Sequence, residues 1–507
     1  MKTRLLLSLL LTTVTIWGQG VDEAYFFSKE NSFGTARSIG MGGSFGALGA
    51  DMSAININPA GVALFRVPEF TFTPSVQFNN SSSDYSGINA TDNKTRFTVS
   101  QIGYVGVNRI MREAATGIIS TNFAVNYQRV NDFNNFTQIF GKGIQSSLLD
   151  QLRFEADNEG GVDNLTSSGS GLAYDTFLLD TLSNQYEYYN VLEDYDANGV
   201  YRVAPDGVNQ WNSIEQRGNV SELGGSAGIN INNKIFLGGS LNIDFLRFEE
   251  ANFYNETDPN NSIPYLRSYN YNTFLDVNGI GLNLKFGLIL KPIEAIRLGV
   301  SYQTPTWYSI NEFYAAEMDS YVEGRVGTNG AFKRVSSEYD YNYNTPQKFT
   351  TSLAFILGEQ VAVNIDYKYI NYSSAKYNGT TTNYYDAEYM NNINQEIKDI
   401  YKATNNLNFG LEYKPIANIA LRGGFIYNES GLKYQDYNTL SYTGGIGYRE
   451  RNYFIDLAYR FQTYQLDHYM YVLDASLTDP AGYNLPNDYV TTTYNSNLVV
   501  LTMGVKF

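Results

Sequence analysis

Apolar and polar residues alternate with a period of two over long stretches of this chain. Ile296, Leu298, Val300 and Tyr302 alternate with Arg297, Gly299, Ser301 and Gln303. Val361, Val363, Ile365, Tyr367 and Tyr369 alternate with Ala362, Asn364, Asp366 and Lys368. Tyr453, Ile455, Leu457, Tyr459 and Phe461 alternate with Phe454, Asp456, Ala458, Arg460 and Gln462. This period places one set of side chains on each face of a β-strand. Strands of a soluble sandwich run about 5–6 residues. The runs here need about 12 to 20, the length of a tilted strand that crosses a bilayer and continues past it.

Two kinds of connection separate the runs. Short turns fall near Ile110–Ala115, Asn232–Lys234, Leu357–Gln360 and Arg449–Asn452. Two more are marked by an internal echo, Phe286–Ile296 (FGLILKPIEAI) and Phe409–Ile419 (FGLEYKPIANI). There Lys-Pro is expected to make the turn, because proline fixes its own φ. Long polar stretches lie at 79–94, 130–212, 250–270, 309–335, 372–394, 428–437 and 465–490. Seven long connections and six short ones predict fourteen antiparallel strands with both ends on the periplasmic side. The last strand carries Val499, Leu501, Met503 and Val505 on one face and ends on the aromatic Phe507, like the terminal signal of outer-membrane barrels. The expected fold class is all-β, a 14-stranded antiparallel transmembrane β-barrel.

Ahead of the first strand, expected at about Pro68–Phe78, residues 20–66 hold too many glycines for a strand. Gly34, Gly40, Gly42, Gly43, Gly46 and Gly49 permit compact backbone. Phe33, Ile39, Met41, Phe45 and Leu48 give the same segment apolar surface to bury and are candidate contacts for a hydrophobic ligand. A segment that starts in the periplasm and feeds the first strand is placed to fold back into the lumen as an N-terminal hatch. Asn58-Pro59-Ala60-Gly61 then turns the chain into the wall. Residues 1–19, with Lys2 and Arg4 before the apolar Leu5 to Trp17, have the layout of a cleavable signal peptide. The domains expected are 1–19, signal peptide; 20–66, hatch; and 67–507, barrel, with a long external loop at 130–212.

Composition agrees with a barrel. Aromatic residues reach 15%, with 43 Tyr and 30 Phe, at a mean hydropathy of only −0.30. Strands that are lipid-facing on one side and wet on the other reconcile the two values. The net charge of −16, or −18 without Lys2 and Arg4, argues against nucleic acid as a partner, since phosphates demand a basic surface. With no cysteine, the chain has neither a lipoprotein anchor nor disulfides.

The run A-R-S-x-G-M-G-G-S-F-G-A from Ala36, followed by N-P-A-G ending at Gly61, resembles the FadL/TodX family of outer-membrane hydrophobic-compound transporters. Gly444 to Arg449 (GGIGYR) and Asp456-Leu457-Ala458-Tyr459 resemble that family's late strands. The resemblance implies passive transport of long-chain fatty acids or other hydrophobic small molecules, with outer-membrane lipid as their destination. It also implies a hatch whose shift opens a path, and a sideways exit at a kinked strand corresponding to about Thr116–Val130. Nothing in that sequence marks the kink. The alternative role is a structural subunit of an outer-membrane protein complex, as in the type IX secretion shuttle that shares this fold. A continuous apolar lumen pocket would favour transport; a lumen fully blocked would favour the complex.

Other candidate chemistry is sparse. Arg297, Asp366, Lys368, Asp456 and Arg460 fall on lumen-side positions and could orient a ligand carboxylate or pair with one another. Asp194, Asp196 and Asn198 match the start of a calcium loop, D-x-D-x-N-G, but Pro205 stands where the bidentate glutamate belongs, so an acidic turn is the competing reading. Within 130–212, Ile144, Leu148, Leu149 and Leu152 show helical spacing, with Ser146 or Ser147 as cap. His468 is the sole histidine, and no nucleophile or metal motif accompanies it, so no catalytic residue and no enzyme is expected.

Overall fold

The computed structural model describes residues 20–29, 31, 33–110, 117–182, 186–196, 199–322, 330–379, 384–434, 437–471 and 489–507. Residues 1–19, expected from the sequence to be a signal peptide, lie outside them. Long strands dominate, because each alternating run has one face that leaves water for lipid and another that meets the lumen. They are β1 (Glu69–Tyr85), β2 (Ile88–Arg109), β3 (Ile118–Asp132), β4 (Val208–Ile231), β5 (Ile235–Thr257) and β6 (Leu266–Ile293). β7 is built from Ile296–Gln303 and Trp307–Val322, β8 from Ala331–Asn344 and Lys348–Leu357, and β9 from Val361–Asn371 and Lys376–Gly379. β10 (Ala403–Ile416), β11 (Ile419–Asn428), β12 (Thr439–Arg449), β13 (Tyr453–Tyr469) and β14 (Tyr489–Lys506) complete the wall. Each strand pairs antiparallel with the next, and β14 closes on β1 from Glu69↔Lys506 to Asp84↔Thr491. The wall is a closed barrel of fourteen strands.

Alternation sets the two faces as expected. On β13, Tyr453, Ile455, Leu457 and Tyr459 are exposed, while Phe454, Asp456, Ala458 and Arg460 are buried toward the lumen. Met503 and Val505 on β14, and Phe507 just after it, are likewise exposed.

Two expectations need correction. The polar stretches 79–94, 250–270 and 309–335 are mostly strand rather than loop; β1 and β2, for instance, meet at a turn of Ser86 and Gly87. Above the bilayer both strand faces meet water, so polar composition there no longer distinguishes strand from loop. Neither Lys-Pro pair forms its turn. Both sit at strand ends where the register is irregular, and the reversals fall on Glu294-Ala295 and Ala417-Asn418. Proline has no N–H to donate, so an irregular position accommodates it.

The long insertion folds into a compact external cap. Ser147 caps α4 (Leu148–Glu159), accepting from the Leu149 amide, while Asp150 accepts from the Ser147 amide. Leu148, Leu149 and Leu152 are buried in the cap's own core with Leu172, Leu179 and Tyr188. Glu256 on β5 accepts hydrogen bonds from Ser147 Oγ, the Leu148 amide and Gln210 Nε2, tying the cap to the wall.

Candidate functional site

The N-terminal segment fills the lumen. It comprises α1 (Val21–Ser28), α2 (Ala36–Gly40), α3 (Ala54–Ile57) and a 3-10 turn over Pro59–Leu64. Its glycine-rich middle makes little secondary structure of its own, so its backbone groups must find partners on the wall. They do. Asp366 accepts from the amides of Phe45 (2.9 Å) and Gly46 (3.1 Å). Arg297 Nη1 donates to the Leu48 carbonyl at 2.6 Å, Thr443 bridges Gly40 and Gly42, and Thr502 accepts from the Ala36 amide.

Close approach requires wall glycines. A Cβ at Gly410 would lie 2.4 Å from the Met41 carbonyl oxygen, and one at Gly287 would lie 2.0 Å from Asn58 Oδ1. These are the glycines of the two F-G-L echoes. Asn58 accepts from the Ala60 amide to cap the 3-10 turn and donates to the Gly46 carbonyl. Pro59 and Ala60 press against Gly238 and Gly287, and Gly61 stacks on Gly49.

A charged lock sits near the periplasmic end of the plug. Arg37 contacts Glu412 through two nitrogens, at 3.0 and 3.1 Å. Arg422 Nε reaches the same carboxylate at 2.8 Å, and its Nη1 reaches Asp456 at 2.7 Å. Of the lumen charges picked from sequence, Arg297, Asp366 and Asp456 therefore belong to the plug's seat. Arg460 lies over the Phe33 ring at 5.3 Å. Lys368 lines the cavity described next.

Between the plug and the outer half of the wall lies a cavity of about 110 Å³. Its lining is polar, not the continuous apolar pocket. Lys29, Lys285, Lys348 and Lys368 border it, with Glu429 as the lone carboxylate. Lys285 pairs with Glu222 at 2.7 Å and Glu429 with Lys402 at 3.2 Å. The Lys29 ammonium rests 4.7 Å from the Tyr464 ring centroid, and burial lowers its pKa to about 8. Phe33 reaches this cavity. Ile39 packs with Ala458 and Val500, while Met41, Phe45 and Leu48 pack with Ala47, Ala54 and Ala354.

Beside the cavity α1 occupies an aromatic cradle. Phe26 and Phe27 lie against Phe133 and Phe248, and Tyr25 against Tyr372 and Tyr401. At β3 the register shifts between Arg129 and Asn131, and the Val130 carbonyl accepts the Asn31 amide. The strand the resemblance marked as kinked is thus irregular, and the N-terminal segment holds it.

The remaining candidates stand apart from the lumen site. Asp194 and Asp196 belong to a two-stranded hairpin in the cap, and Asn198 lies outside the described residues. His468 is hydrogen-bonded to Tyr494 at 2.8 Å. Lys29, Lys285 and Lys348 are remote from one another in sequence, so local patterning does not join them, although the last two sit at inward positions of their strands.

The family model for outer membrane protein transport proteins (OMPP1/FadL/TodX) matches residues 215–485, just over half of the chain. A Pseudomonas aeruginosa FadL homologue superposes with a TM-score of 0.54 at 13% identity, covering 94% of this chain and 99% of that one. The P. putida toluene transporter TodX gives 0.54 at 13% identity, with 93% and 98% covered. At that identity these two show a shared fold. No curated protein matches the chain at a significant level. A matching family model, a closed fourteen-strand wall and a plug seated by backbone contacts agree: this chain belongs to the OMPP1/FadL/TodX family of outer-membrane transport channels for hydrophobic compounds and is not an enzyme.

Proposed function

We propose that the protein carries amphipathic acids, of the long-chain fatty acid class, passively across the outer membrane. The observation behind this is the charge of the cavity. In a chain of net charge −16, Lys29, Lys348 and Lys368 border the space behind the plug together with Lys285, which is paired with Glu222, and one carboxylate, Glu429, which is paired with Lys402. A neutral hydrocarbon has no use for them, whereas a carboxylate gains charge-assisted hydrogen bonds in a site largely shielded from water. The tail belongs in the cradle that α1 now fills with Phe26 and Phe27. At about 110 Å³ the empty space is smaller than the ~150 Å³ cavity that admits benzene. Binding therefore displaces α1, and apolar contact drives each stage of the passage to lipid. The plugged lumen and its small polar cavity are what the alternative, a subunit of a secretion complex, would also show, whereas the matching family model is one of transport proteins and supports the transport reading.

The test is a comparison of oleate with oleyl alcohol. The wild type should bind the acid at least tenfold more tightly, and a Lys29→Met, Lys368→Met double variant should lose that preference while retaining the alcohol. Equal affinity of the wild type for acid and alcohol would exclude the proposal.

A further inference from the structure

Buried polar atoms are nearly always paired, so one left without a partner beside a cavity points to what that cavity takes. Two residues that border the lysine cavity carry such atoms. Gln128 on β3 is only 7% exposed; its Nε2 donates to the Phe33 carbonyl at 3.0 Å, and its Oε1 has no partner. Asn56 on α3 accepts from Asn126 Nδ2 at 3.0 Å through Oδ1, and its own Nδ2 has no partner. A carbonyl can only accept, so Gln128 cannot turn its amide round without losing Phe33. Asn126 accepts from Gln101 Nε2 at 2.9 Å, which keeps its donor toward Asn56. The cavity edge thus offers one acceptor from the wall and one donor from the plug.

These two groups share one stretch of wall. Asn126 and Gln128 are both buried on the lumen face of β3, alternate residues about 7 Å apart along the strand, and Asn56 is bonded to the first of them. A donor and an acceptor so placed suit a secondary amide, whose C=O and N–H point in opposite directions. A simple fatty acid has no N–H and leaves the Gln128 oxygen unpaired; so does an aromatic hydrocarbon. Leaving a buried acceptor unpaired is costly. At about 110 Å³ the space is well beyond the ~10–15 Å³ that a single water needs, as a head group of several polar atoms requires.

We infer that the head group bound behind the plug is an amide-linked acid, so that the preferred cargo is an N-acyl amino acid. Asn56 Nδ2 donates to the acyl carbonyl, the amide N–H donates to Gln128 Oε1, and the terminal carboxylate meets the lysines that border the same space. The tail runs toward Phe133, which follows Gln128 closely in the chain, and so into the cradle of α1. This rests on the transport reading above and narrows its cargo.

The test varies the ligand, so the wild-type barrel serves without dependence on how a variant folds. Affinities for N-oleoylglycine, for its ester counterpart O-oleoylglycolate and for oleate would be measured by isothermal titration of the purified protein. The ester keeps the carbonyl and the carboxylate and replaces only the N–H by oxygen. The amide should bind at least tenfold more tightly than either. N-oleoylsarcosine, with a methyl group on the nitrogen, should bind no better than the ester. In Gln128→Leu the amide and the ester should bind within about twofold of each other, whereas a purely structural role for Gln128 would weaken both and preserve their ratio. Equal binding of amide and ester by the wild type, or a tenfold preference that survives in Gln128→Leu, would overturn the inference. Continued preference for oleate over oleyl alcohol would then leave the transport reading standing. A wild type that binds neither oleate nor N-oleoylglycine would overturn both.

Discussion

Glu412→Gln removes the centre of the charged lock while keeping its shape. The carboxylate receives Arg37 at 3.0 and 3.1 Å and Arg422 at 2.8 Å, and all three side chains are largely shielded from solvent. Breaking a buried pair by neutralising one partner costs about 3–5 kcal/mol, because the surviving charge stays desolvated. The amide can still accept one hydrogen bond and Arg422 keeps Asp456, so the lower end, about 3 kcal/mol, applies. At 1.4 kcal/mol per factor of ten, the unlocked plug should become roughly 100-fold more populated. Amide hydrogen exchange over residues 36–48 reads that population directly, and planar-bilayer conductance reads the openings it permits. Heat-shifted gel migration would report an intact barrel. Asp456→Asn, which leaves the Arg37–Glu412 contact in place, should give a smaller change. Exchange within twofold of wild type in an intact Glu412→Gln barrel would refute the lock.

Further outcomes follow from the same geometry. Phe27→Ala removes a buried anchor of α1 worth about 3–5 kcal/mol in a packed site, so oleate should associate faster by stopped-flow fluorescence. Gly410→Val drives a side chain into the Met41 carbonyl and should expose residues 36–48 to protease, whereas Gly423→Val, with nothing within 4 Å, should leave the plug protected. Lys29, on the plug rather than a spanning strand, is cationic below its pKa of about 8 and neutral above it. Oleate is ionised throughout that range, so its affinity should fall severalfold between pH 7 and pH 9. Lys29→Met should flatten that dependence in an isothermal titration.

The wall was legible in the sequence because lipid and lumen impose opposite demands on neighbouring residues, as along Tyr453–Gln462. The plug was legible from its clustered glycines. What composition hid was strand that leaves the membrane: residues 79–94 meet water on both faces, so nothing in their polarity marks them as ladder. The F-G-L echoes were visible, yet their meaning lay in Gly287 and Gly410, whose missing side chains admit the plug. That contact joins residues far apart in the chain, and local patterning carries no trace of it. The lysine cavity was obscure for the same reason, since Lys29, Lys285, Lys348 and Lys368 converge only once the barrel closes.

The strands outrun the bilayer by a wide margin. β5 has 23 residues, and at about 3.3 Å each with a tilt near 40° it climbs roughly 60 Å. An apolar band of about 25 Å leaves on the order of 30 Å of barrel standing outside. The rim and its cap are thus lifted well clear of the membrane surface. A greasy molecule in the medium can therefore meet the mouth of the protein before it reaches the headgroups, and the tall collar stands above the bilayer like a chimney.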